Sequence, residues 1–103
     1  MRYNKLVRDK IPDIIAESGK KVTFRILNDE EYKIELEKKL DEEVAEFHES
    51  KSLEELADIF EVLDALLNAH GIHFRDVRKR GDLKRAERGG FSKKIFLEEV
   101  EDV

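Results

Sequence analysis

Between Asn28 and Gly71 the chain holds two helix-length stretches divided only by Ser50-Lys51-Ser52, and so short a divider leaves them one arrangement. A connector of that length folds the second helix back on the first, making them antiparallel neighbours. Their limits are legible. Asn28 suits the N-cap of the first helix, with Glu31 in the return position of a capping box, and the helix should run to His48 or Glu49. Ser52 suits the N-cap of the second, which should end at His70 with Gly71 as a left-handed stop.

The flanks are weaker. Pro12 suits a first helical position, and Asp13 through Ser18 reads as a short helix stopped by Gly19. Val22, Phe24 and Ile26 alternate with Thr23 and Arg25 as in a short strand, and Ile95-Phe96-Leu97 offers a second strand to pair with it. A basic helix is expected from Phe74 to Arg88, weakened by Gly81. The expected architecture is therefore mainly α. It is a bundle around antiparallel central helices, with a small hairpin-like pairing of short N- and C-terminal strands. The 103 residues suit a single domain spanning 1–103.

Four acids occupy odd positions on the central helices. At about 100° per residue, Tyr32, Leu36, Leu40, Val44 and Phe47 share one arc, and Glu43 falls inside it with Glu46 just past its edge. On the second helix Glu55 falls between Val62 and Leu66 in the apolar face, with Asp58 on its polar border. A carboxylate embedded in an apolar stripe is expensive unless something neutralises it, and a divalent cation is one such partner. Mg²⁺ suits hard oxygen ligands and leaves room for water and substrate phosphates. Plainer roles compete: Glu55 as the return residue of a Ser52 capping box, and Glu43 paired with Lys39 one turn before it. Arg8-Asp9 reads equally as an internal ion pair, and Gly89-Gly90 as a simple helix stop.

Composition narrows the classes. There is no cysteine, which removes disulfides and thiolate metal sites. The histidines, His48, His70 and His73, lack a zinc spacing, and no Ser-His-Asp set or Walker loop is present. With no signal peptide or long apolar run, a cytoplasmic protein without a membrane partner is expected. The net charge of −5 hides a polarity along the chain. Asp29–Asp64 carries 15 acids against 4 lysines, whereas Arg75–Arg88 carries 7 bases against 3 acids. Such segments suit a metal and the phosphates bridging to it, or merely solvated helix faces. The breadth of the second helix's apolar face implies at least a dimer.

Glu42-Glu43-Val44-Ala45-Glu46 followed by Glu55-Leu56-Ala57-Asp58 resembles the EExxE…ExxD signature of the MazG-like, all-α nucleoside triphosphate pyrophosphohydrolases. That superfamily also includes phosphoribosyl-ATP pyrophosphohydrolases and all-α dUTPases. Lys5-Leu6-Val7-Arg8-Asp9-Lys10-Ile11-Pro12, and Lys84 with Arg88-Gly89-Gly90-Phe91, resemble the terminal blocks of one small branch, so the likeness spans nearly the whole chain. Only eight residues separate Glu46 from Glu55, fewer than the superfamily usually shows. The resemblance implies hydrolysis of a nucleoside triphosphate to the monophosphate and pyrophosphate with Mg²⁺, or Mn²⁺ in its place. It implies metal binding by Glu43, Glu46, Glu55 and Asp58, and a general base at Glu42 or Glu46. It also implies phosphate contacts from Lys5, Arg8, Lys10, Lys84 and Arg88, in a homodimer or homotetramer. Phosphoribosyl-ATP is an alternative substrate, and a non-catalytic module for nucleotides or nucleic acid is an alternative class. The overall acidity and the lack of interleaved aromatics argue against nucleic acid.

Overall fold

The computed structural model describes residues 1–102 and contains four helices: α1 (Ile11–Glu17), α2 (Asp29–Ser50), α3 (Leu53–Ala69) and α4 (Phe74–Arg88). They divide between two compact units, Met1–Ile72 with α1 to α3 and His73–Val103 with α4.

Local chemistry accounts for the helix limits. Asn28 accepts a hydrogen bond from the Glu31 amide at 2.9 Å, satisfying one of the free donors at the start of α2. The Glu31 carboxylate does not complete a capping box; it binds Arg25 at 2.9 Å instead. Lys51 ends α2 in the left-handed region (φ 54°), with its amide donating to the Phe47 carbonyl at 2.8 Å. At the end of α3, Gly71 (φ 67°) donates to Asn68 at 3.2 Å and Ile72 donates to Leu67 at 2.9 Å. This pair of bonds is the Schellman arrangement, and the positive φ explains why glycine stands there. Gly89 (φ 83°) likewise stops α4, its amide donating to the Arg85 carbonyl at 2.8 Å.

The first unit is organised by α2 against α3, joined through Lys51-Ser52 as an antiparallel helical hairpin. Leu36 from α2 and Val62 from α3 are its most buried apolar side chains, at 2% and 8% exposure. Tyr32, Leu40 and Phe47 flank Leu36 on one side, and Ile59 and Leu66 flank Val62 on the other, all half-buried. Much apolar surface remains open: Leu53 is 76% exposed, Phe60 69% and Ile34 54%. In the second unit α4 carries its seven bases on a wholly exposed helix.

The expected strand pairing is not formed: among the described residues there is no strand, and Val22–Ile26 and Ile95–Leu97 are irregular. Phe24 and Ile26 are 64% and 85% exposed, and Ile95, Phe96 and Leu97 are at least 74% exposed. With no buried face to hold them and no ladder to satisfy their amides, such short segments have nothing to stabilise an extended pair. No helix among the described residues is long and apolar enough to cross a membrane.

Leu36 and Asn28 stabilise the same helix by different means, and their removal should differ in size. Leu36→Ala should lower the unfolding free energy by about 2–4 kcal/mol through lost burial and a residual cavity. Asn28→Ala should lower it by about 1 kcal/mol through loss of the cap. Urea denaturation of both variants measures the difference.

Candidate metal centre

The hairpin turn brings the two acid pairs to one level. Glu43 and Glu46 lie seven and four residues before Ser50, and Glu55 and Asp58 lie two and five after Leu53. At about 1.5 Å per residue along antiparallel axes, these positions face each other without a longer connector. The short spacer between Glu46 and Glu55 therefore suffices. Glu43 shares one group with Glu42 and Glu46, and another with Glu55 and Asp58; in each, the nearest ligand oxygens lie within 4.8 Å of one another. All four residues expected at the metal, and Glu42 beside them, thus meet around one carboxylate.

That carboxylate is the most deeply buried polar group described, with Glu43 only 6% exposed. Its Oε1 lies 3.4 Å from the Lys39 ammonium, so the pairing with Lys39 one turn earlier is real. Its Oε2 is buried without a hydrogen-bond partner, and so is Oε2 of Glu55. The capping-box role for Glu55 fails on geometry. The Glu55 amide donates to Ser52 Oγ at 3.3 Å, but the Ser52 amide donates to Ser50 Oγ, leaving the Glu55 side chain unused by the cap. Two orphaned oxygens, among two groups of carboxylates that share Glu43, form a hard, anionic donor set suited to a divalent cation.

Three cations border the cluster. Lys39 also binds Glu42 Oε2 at 3.1 Å, Lys5 binds Glu42 Oε1 at 3.0 Å, and Arg8 binds Asp58 Oδ1 at 2.6 Å. Burial pushes the Glu42 carboxyl up, but the bonds from Lys5 and Lys39 outweigh it and hold Glu42 below the ordinary carboxylate value. Glu43 goes the other way: burial first, then the neighbouring Glu46, push it up against the weaker pull of Lys39. Two adjacent acids on one helix turn are thus driven apart by their surroundings.

The remaining candidates are placed more loosely. Arg8 pairs with Asp58 and not with its neighbour Asp9. Lys10 stands at the N-cap of α1, exposed and without an ion pair among the described residues. Lys84 and Arg88 lie on α4 in the second unit, exposed and likewise unpaired there. The bridging position of Lys39 between Glu42 and Glu43 had a partial sequence signal in its i,i+3 and i,i+4 spacing. The contacts of Lys5 and Arg8 had none, since 37 and 50 residues separate the partners.

The opposed shifts give a signed pH dependence in metal-free protein. Because folding raises the Glu43 value above 4.5, stability is lost as pH climbs from there through the raised value. Glu42, lowered from 4.5, contributes stability that is lost as pH falls through its own lowered value. Glu43→Gln should therefore raise the urea midpoint above pH 4.5 in chelator and converge with the parent at lower pH. Parallel profiles across that range would show that Glu43 carries no such strain.

No family model and no solved structure matches the chain. An uncharacterized protein of Mycolicibacterium smegmatis is 56% identical over 41 residues. That stretch is 40% of this chain and 42% of the relative, so the likeness spans less than half of either protein.

Proposed function

We propose that this chain is a MazG-like nucleoside triphosphate pyrophosphohydrolase that uses Mg²⁺, with Mn²⁺ able to replace it. One observation carries the reading: Glu43, buried and with an orphaned oxygen, stands where carboxylates from α2 and α3 converge. The resemblance of the acidic signature and both terminal blocks supports it. Glu43, Glu46, Glu55 and Asp58 are the proposed ligands; when bound, the ion supplies charge neutralisation to the polyphosphate and activation of a water.

The chain's own groups divide the remaining work. Glu42 accepts hydrogen bonds from lysines on both carboxylate oxygens, which suits it to holding Lys5 and Lys39 in place and makes it a poor base. Glu46 has no such ion pair among the described residues and, through a carboxylate oxygen the ion leaves free, is the better candidate to take a proton from the attacking water. Lys5, Lys38 and Lys39 line a shallow recess between the N-terminal segment and α2, beside Glu42. Their charges suit the phosphate oxygens, as do those of Arg8 and Lys10. Lys84 and Arg88 belong to the proposal through the resemblance alone. Cleavage of the α–β anhydride leaves a nucleoside monophosphate and pyrophosphate.

Two experiments test this reading. A panel of canonical and modified triphosphates, phosphoribosyl-ATP included, should yield pyrophosphate with Mg²⁺, and the preferred member identifies the base. Glu55→Gln and Asp58→Asn should each reduce turnover about 100-fold or more, the equivalent of about 2.7 kcal/mol. Silence across the panel from folded protein would favour a binding module, for which the seven bases of α4 supply the charge. The proposed homodimer or homotetramer accounts for Leu53 and Phe60, which α2 and α3 leave 76% and 69% exposed. Sedimentation should give at least twice the chain mass of 12.1 kDa, and a stable monomer would overturn the assembly.

A further inference from the structure

Residues 1–10 precede α1 without regular helix or strand, yet two of their side chains end on the carboxylate cluster. The Arg8 guanidinium donates to Asp58 Oδ1 at 2.6 Å, and the Lys5 ammonium to Glu42 Oε1 at 3.0 Å. Asp58 belongs with Glu43 and Glu55 to the group whose nearest oxygens lie within 4.8 Å of one another. Glu43, 6% exposed, and Glu55 each bring to that group an oxygen without a hydrogen-bond partner. A guanidinium on Asp58 opposes a divalent ion there in two ways. It holds one oxygen of a carboxylate in that group, and its charge repels the dication at short range.

We infer that Arg8, with Lys5 beside it, is a built-in counter-ion of the carboxylate centre that competes with the divalent ion and is released when the ion binds. The inference rests on the metal-binding reading above. The exposure of the pair favours exchange: the Arg8 side chain is 56% exposed and that of Asp58 38%. An ion pair so open to water is weakly held and readily broken. Lys39 differs. It comes from α2 itself, its side chain is 17% exposed, and it bridges Glu42 and Glu43 as a fixed part of the cluster. Once released, Arg8 keeps its planar fork beside the centre, free for a phosphate oxygen.

Calorimetric titration of the full chain with MnCl₂ reads the competition without any turnover. Arg8→Gln should bind Mn²⁺ about fivefold more tightly than the parent, with a smaller gain for Lys5→Gln. Asp58→Asn should bind more weakly, and adding Arg8→Gln to it should bring no more than a small further gain, because the carboxylate charge for which Arg8 and the ion compete is gone. Equal or weaker binding by Arg8→Gln, with parent-like circular dichroism, overturns the counter-ion role and leaves the metal site standing. If Arg8→Gln fails to fold, unchanged affinity in Lys5→Gln overturns it instead. No Mn²⁺ binding in the parent or any variant overturns the metal reading, and the inference with it.

Discussion

A carboxylate held between two helices needs neutralising, and the first unit of this protein is arranged around that need at Glu43. Leaving a charged oxygen in a water-poor place without a partner costs several kcal/mol, so such a group survives only with compensation close by. Lys39 supplies part of it from one turn earlier on the same helix. The surrounding acids add negative charge, because Glu42 and Glu46 group with Glu43 from α2 and Glu55 and Asp58 from α3. A stability optimum for the isolated hairpin would put an apolar residue at position 43, continuous with Leu36 and Phe47. An acid stands there instead, with one oxygen unpaired, and this departure is what supports the proposed metal site.

The same hairpin explains why the centre is well defined on so small a core. Among the described residues only Leu36 and Val62 are buried apolar side chains, so the packing of α2 on α3 cannot depend on bulk alone. The turn at Lys51-Ser52 sets the register: a left-handed Lys51 ends one helix and the Ser52 hydroxyl opens the next. With no slack between them, the acids near the end of α2 and the start of α3 have one relative placement. A long flexible connector would let the register wander, and the carboxylates would part to reduce their repulsion. The open faces of Leu53 and Phe60 then fall outside the hairpin, on surface that a second copy is proposed to cover.

Much of this was legible in advance, for reasons that can be assigned residue by residue. Asn28, Ser52, Gly71 and Gly89 act through local backbone chemistry, which needs no knowledge of the rest of the chain, and each stands where it was expected. Glu43 and Glu55 betrayed themselves by interrupting an apolar period. The strand expectation at Val22–Ile26 and Ile95–Leu97 failed because alternation describes only what a segment prefers. An extended pair also requires a face to cover and a ladder to share, and neither is local. The capping role of Glu55 failed for a related reason. The spacing was right, but Ser50 reached the Ser52 amide instead.

What the amino-acid order settled by itself was the set of helices and the identity of the clustered acids, because helix signals and apolar periodicity act over a few residues. Tertiary structure decided what those acids touch. Arg8 reaching Asp58 and Lys5 reaching Glu42 depend on how an irregular N-terminal segment crosses a helical hairpin, over separations of 50 and 37 residues. Charge attraction is blind to sequence distance: it depends on where packing brings the groups, and no spacing rule encodes that.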